Sequence, residues 1–279
     1  YGFRGVPGHE FVGTVVEGSP QWLGRRVAGE ISLGCGRCPQ CAAGMRRHCP
    51  RRRVLGILNH PGALAEFLVL PEENLHGIPR SVPDEEAVFC EPLAAACEIL
   101  QQVRIPRAAP VAVLGDGKLG LLCAQVLAAA GAHVALFGRH PERSRWLARR
   151  GIRLQDGARR PSRAFPFVVE ATGSAAGLEE ALQFVAPRGT VVLKSTTHEP
   201  VRADLSRLVV VPEVTLVGSR CGPFPEALRL LRQRRVETAP LVQSRLTLAE
   251  VVEAFRQAAA PGALKVLVAC PAPSSSTAR

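Results

Sequence analysis

The chain has 279 residues and is 47% hydrophobic, enough for one large or two ordinary domains with real cores. No apolar run approaches the roughly 18 residues of a membrane-spanning helix and no signal-peptide pattern is visible, so no membrane partner is expected. The formal net charge of +11 invites a nucleic-acid reading, but nearly all of it is Arg, scattered in pairs and triples with only one Tyr and two Trp to interleave, so solvated faces account for it better and no nucleic-acid partner is expected.

From the N-terminus, Pro7-Gly8-His9-Glu10 leads into Phe11–Val16, which is strand-like by composition. His9 taken alone reads as an ordinary polar residue at a strand start. Next come Cys35, Cys38 and Cys41 at a spacing of three, with Cys49 eight residues on. Such a quartet can place four thiolates tetrahedrally around one Zn²⁺ with no open position, which is a structural rather than a catalytic site. Nine cysteines with four in one cluster fit metal binding in a reducing compartment, and a cytoplasmic location is expected; disulfides or unrelated thiols are the alternative. The flanking Arg46, Arg47, Arg51, Arg52 and Arg53 either ease thiolate formation or form a solvated loop. Gly62–Leu70 alternates as a strand, and Val82–Ala87 reads as a helix start with acids in its first turn. Cys90-Glu91-Pro92-Leu93-Ala94 then leads a helical run to Val103, with Glu91 either a site carboxylate or a helix-terminus acid.

Val111–Leu114 is a buried strand that runs into Gly115-Asp116-Gly117-Lys118-Leu119-Gly120 and an apolar helix, Leu119–Ala130, ended by Gly131. Such a turn can seat a dinucleotide pyrophosphate on Gly115–Gly120 at the helix N-terminus. Gly115 makes the turn, Gly117 lets backbone approach phosphate, and Gly120 lets helix pack on strand. The second strand, Ala132–Phe137, ends in Gly138-Arg139-His140. An NAD site places an acid there for the ribose 2′-OH; Gly138 with Arg139 and Arg143 suits a 2′-phosphate, which predicts NADP(H) over NAD(H), with Arg on a solvated face as the alternative. Strands at Phe167–Glu170, Thr190–Lys194 and Val214–Val217, separated by helical runs at 178–186 and 204–210, predict an α/β fold with a doubly wound parallel sheet. Helical runs at 225–235 and 247–260 and a last strand, Leu264–Val268, follow. The Pro/Ser-rich Pro271–Arg279 reads as disordered.

Gly8-His9-Glu10, the cysteine quartet, Glu91-Pro92-Leu93-Ala94 and Gly115-x-Gly117-x-x-Gly120 occur in the order that resembles the zinc-dependent medium-chain alcohol dehydrogenases, closest to their sorbitol and threonine dehydrogenase branch, over Tyr1 to Leu267. The resemblance implies a partly truncated GroES-like β-barrel catalytic domain over 1–94 with its structural zinc lobe at 35–49, a Rossmann dinucleotide domain over 95–220, and a return to the catalytic domain over 221–279. It implies that His9 and Glu91 are ligands of a catalytic zinc, with Glu10 in the immediate surroundings, and that Cys35, Cys38, Cys41 and Cys49 hold a structural zinc. The loops at Thr172 and Ser195 would border ribose and nicotinamide, and Arg220 would touch cofactor or substrate or serve as a hinge. The implied reaction is hydride transfer between a small alcohol or polyol and NAD(P)⁺, in a homodimer or homotetramer. The family's remaining catalytic ligand, a Cys, lies upstream of the position that Tyr1 occupies, so the expectation is a fragment or incomplete gene product lacking an N-terminal segment. The rival reading is a nucleotide-binding protein that holds the structural zinc and turns nothing over.

Overall fold

The computed structural model describes residues 3–156, 162–197 and 200–270. The chain divides into two units. One is formed by the segments up to Glu91, Ala227–Arg232 and Thr238 onward, the other by Pro92–Glu226 and Gln233–Glu237.

The first unit opens with β1 (Gly13–Thr14), β2 (Arg26–Gly29), β3 (Ser32–Leu33), the short α1 (Pro39–Ala42), β4 (Arg53–Val54), β5 (Leu75–Gly77) and α2 (Asp84–Ala87). β1, β2 and β5 form an antiparallel three-stranded sheet, and β3 pairs with β4. Of the predicted strand Phe11–Val16, only Gly13 and Thr14 enter a ladder. Gly62–Leu70 is not a strand. The N–H groups of Gly62, Ala63 and Leu64 are spent on the carbonyls of Val6, Gly8 and Pro7 at 2.7, 2.8 and 3.0 Å. Phe67 and Val69 on one side of the alternation are 59% and 81% exposed, while Leu64, Leu68 and Leu70 on the other are half-buried.

The second unit carries α3 (Cys90–Gln102, from Pro92 on), β6 (Pro110–Leu114), α4 (Lys118–Ala129), β7 (His133–Gly138), α5 (Pro141–Ser144), β8 (Arg153–Asp156), β9 (Phe165–Glu170), α6 (Ala175–Phe184), β10 (Val185–Leu193) and β11 (Thr215–Gly218). Its six strands lie parallel in the order β11-β10-β9-β6-β7-β8. This is the doubly wound order, with its switch point between β6 and β9. Val111 to Leu114 are at most 1% exposed, because helices cover both faces of a parallel sheet, and the strand therefore reads as a continuous apolar run. The rings of Phe165 and Phe184 meet the Phe137 ring edge-on at 5.8 and 5.0 Å within the core. No strand was expected at β8: it sits at the sheet edge, where Arg153 and Gln155 need no full burial. The helical run expected at 204–210 is a π-helical turn, Ser206–Val210. The segment around Glu237 is tied into this unit by Gln125, which exchanges two hydrogen bonds with the Glu237 backbone at 2.8 and 3.1 Å.

Beyond α7 (Phe224–Arg232), the chain forms β12 (Val242–Thr247), α8 (Val251–Ala259) and β13 (Lys265–Ala269), with β12 and β13 parallel. Thr247 and Glu250 form a capping box at the entry to α8, the Thr247 N–H and hydroxyl both donating to Glu250 Oε2 at 2.9 and 2.7 Å. The expected disorder of Pro271–Arg279 falls outside the described residues. Among the described residues, no helix is long and apolar enough to cross a membrane.

Candidate metal centres and cofactor site

Cys35, Cys38, Cys41 and Cys49 stand on the loop that contains α1, and their sulfurs all lie within 4.8 Å of one another. Cys38 Sγ and Cys49 Sγ are 3.7 Å apart, the separation expected for two corners of a tetrahedron with Zn–S bonds of about 2.3 Å. The Arg37 backbone N–H, aided by hydrogen bonds from Cys49 and the Arg51 guanidinium, pulls the Cys35 thiol down to about 6. Arg51 Nη2 donates to Cys35 Sγ at 3.4 Å, so at least one of the flanking arginines meets a thiolate rather than only solvent. Four sulfurs at this spacing suit zinc and leave no position for a substrate.

The second cluster is assembled from distant segments. His9 and Glu10 follow Gly8, and Glu91 stands in the first turn of α3, where Pro92 gives up no helical hydrogen bond and a carboxylate meets the positive end of the helix. One donor atom from each of His9, Glu10 and Glu91 lies within 4.8 Å of the others. His9 Nε2 is 3.9 Å from Glu10 Oε1. Burial, and then the positive charge of Lys265, hold the His9 imidazole below its ordinary pKa, which keeps it in the neutral form that ligates metals. Lys265, at the start of β13, ion-pairs with Glu10 Oε2 and lies 5.3 Å from the Phe89 ring centre. No motif points to Lys265. One signal was available: an Arg-heavy chain keeps Lys at only 118, 194 and 265. An imidazole and two carboxylates suit a divalent cation of the zinc class and leave room for one oxygen ligand from a substrate.

The cofactor turn lies at the switch point of the second unit. Gly115 has φ +105°, and a Cβ there would strike the Ala171 carbonyl oxygen at 2.6 Å. At Gly120 a Cβ would strike the Gly115 carbonyl oxygen at 1.9 Å, so helix α4 can sit on its turn only through glycine. Gly117 differs: a Cβ there would meet nothing within 4 Å, so no packing within the chain demands a glycine. It is the extended N-cap of α4 with no side-chain cap, and it leaves the first helical N–H groups open to an anion. Lys118 and Leu119 are half-buried beside it, and burial lowers the Lys118 ammonium pKa.

Glu170, 2% exposed at the end of β9, gathers the neighbouring loops. Its Oε1 accepts from the Thr172 N–H and hydroxyl, both at 2.6 Å, and from Ser195 Oγ at 3.1 Å. Ser195 Oγ in turn accepts from the Gly173 N–H at 2.7 Å. Thr172 and Ser195 are thereby brought together by a buried acid that the sequence pattern shows only as a strand end. At the end of β7, Gly138 is half-buried and Arg139 exposed, and Arg143 Nε lies 3.8 Å from Glu142 Oε1. Arg220 is exposed, two residues beyond β11.

Comparison with known proteins agrees with this architecture. Residues 2–80 match the alcohol dehydrogenase GroES-like domain, and residues 119–233 match the zinc-binding dehydrogenase family. D-altritol 5-dehydrogenase of Agrobacterium fabrum is 30% identical over 281 residues, spanning 95% of this chain and 83% of that protein. The chain belongs to the zinc-dependent medium-chain dehydrogenases. A sorbitol dehydrogenase of Halalkalibacterium halodurans is 26% identical, over 94% of this chain and 82% of that one. Among solved structures, a zinc-binding dehydrogenase from Sinorhizobium meliloti 1021 bound to NADP superposes with a TM-score of 0.86 at 28% identity, covering 95% of this chain and 83% of the other. An Escherichia coli CFT073 alcohol dehydrogenase complexed with NADH superposes with a TM-score of 0.84 at 26% identity, covering 94% and 83%. The protein is therefore a zinc-dependent oxidoreductase with a GroES-like part and a Rossmann sheet.

Proposed function

We propose that this dehydrogenase moves a hydride between a small alcohol or polyol and NADP(H). In this reading, residues 1–94 and 221–279 serve the catalytic domain and 95–220 the cofactor domain. His9 and Glu91 would hold the catalytic zinc with Glu10 beside them, and Cys35, Cys38, Cys41 and Cys49 the structural one. When bound, the catalytic zinc supplies Lewis-acid polarisation of the alcohol or carbonyl oxygen, and the nicotinamide supplies or takes the hydride. Neutral His9 contributes a lone pair without added charge, and the two carboxylates contribute the negative charge that a dication requires. Lys265 offsets part of that negative charge at Glu10. Gly115, Gly117, Lys118, Leu119 and Gly120 would seat the pyrophosphate on the N-terminus of α4. Thr172 and Ser195, ordered by Glu170, would border the ribose and nicotinamide, and Arg220 would reach cofactor or substrate.

The observation that carries this reading is the convergence of His9, Glu10 and Glu91 within 4.8 Å, separate from an all-sulfur cluster in the same unit. The polyol class is supported by relatives such as D-altritol 5-dehydrogenase and sorbitol dehydrogenase. The NADP(H) preference is supported by the exposed guanidinium of Arg139, the residue that follows the end of β7. The nine cysteines, none in a disulfide, support a cytoplasmic setting; a homodimer or homotetramer is the assembly we propose, for sedimentation to check.

Elemental analysis and a panel of alcohols and polyols with NADP⁺ and NAD⁺ test the reading together. Two zincs per chain and oxidation of at least one polyol are expected. One zinc per chain with no turnover across the panel would instead favour a nucleotide-binding protein that holds only the structural zinc. Tighter binding of NADH than NADPH would overturn the cofactor preference alone.

A further inference from the structure

The glycine that ends β7 has a reason of space. A Cβ at Gly138 would lie 2.4 Å from each of Cβ, Cγ and Oδ2 of Asp116. Asp116 is the second residue of the glycine turn, and its carboxylate stands where the side chain of a strand-end acid would begin. The His140 N–H fixes it there by donating to Oδ2 at 2.5 Å. Asp116 Oδ1 has no hydrogen-bond partner among the described residues. Arg139, between Gly138 and His140, is exposed and has no ion-pair partner among the described residues.

We propose that Asp116 is the residue that discriminates NAD(H) from NADP(H) in this chain, by lending the end of β7 a carboxylate from the turn. This rests on the dinucleotide-binding reading of that turn. The free Oδ1 is an acceptor for a ribose 2′-OH, whereas a 2′-phosphate brings a second negative charge against it. The missing acid at position 138 therefore does not by itself open the site to a phosphate, because the acid has changed its point of attachment and not its place. Arg139 pulls the other way, and the preference is the balance of these two side chains.

Fluorescence titrations with NADPH and with NADH read that balance directly. Asp116→Asn keeps the size of the side chain and an oxygen acceptor for the His140 N–H, and removes only the charge. It should raise the affinity for NADPH relative to NADH by about tenfold. Asp116→Ser, also neutral, should move the ratio in the same direction, and Arg139→Ala should move it the opposite way. A role confined to latching the loop through His140 would leave the ratio where it was in Asp116→Asn. An unchanged ratio in both Asp116 variants, with both nucleotides still bound, overturns the inference and leaves the dinucleotide reading intact. Failure of the unaltered chain to bind either nucleotide overturns that reading and the inference with it.

Discussion

The two donor clusters of the first unit are built on opposite plans. The cysteine cluster comes from one stretch, and short loops around α1 close it at little entropic cost. The His9, Glu10 and Glu91 cluster draws on two segments far apart in sequence, with Lys265 arriving from a third. The first is specified by spacing and is coordinatively full. The second exists only when the start of α3 and the β13 strand fold back on the turn at Gly8. A closed site made locally serves stability; an open site made by long-range packing is where chemistry can be placed.

Breaking the open cluster should have the largest effect. Glu91→Gln or His9→Ala is expected to remove one zinc per chain and lower alcohol oxidation about a thousandfold or more, while thermal unfolding barely moves. Elemental analysis, a kinetic assay and a melt on the same preparation check all three parts. Breaking the closed cluster should reverse the pattern of damage. Cys49→Ser, at a sulfur with no exposure, is expected to lose the other zinc and cost on the order of 3 kcal/mol in denaturant unfolding. If both variants lowered stability and activity alike, the contrast between a structural and a chemical cluster would collapse.

The next effect is at Lys265. Lys265→Met leaves the Glu10 carboxylate, 25% exposed, without its cation, and should cost about 2 kcal/mol, with Lys265→Arg restoring most of it. Equal stability of the Met and Arg variants would show that the ion pair contributes nothing. The smallest effect is local once more. The Thr247 N–H and hydroxyl hold the Glu250 carboxyl below its ordinary pKa. A depressed carboxylate contributes stability above its unfolded pKa and loses it as pH falls through the folded one. Glu250→Gln should therefore lower the melting temperature slightly near neutral pH, and the difference should vanish in acid below the usual Glu range. Parallel melts across that range measure it.

Where the sequence was legible, the physics was local or the pattern was forced by burial. β6, the glycine turn and α4 could be read directly, because a strand covered on both faces must be apolar throughout and the turn needs glycine at Gly115 and Gly120. The cysteine spacing was legible for the same reason. β8 and β12 were not, since edge or half-exposed strands tolerate polar residues such as Arg153, Gln243 and Ser244. The alternation of Gly62–Leu70 misled, because its amides were already committed to the carbonyls of Val6–Gly8.

By itself, then, the sequence determined the buried strand β6, the turn that begins α4 and the spacing of the sulfur cluster, because each is set by residues within a few positions of one another. Only the tertiary structure decided that Lys265 faces Glu10, that Glu170 gathers Thr172 and Ser195, and that Asp116 fills the space above Gly138. Those are relations between side chains on different elements, and no periodicity along one segment encodes a distance to another.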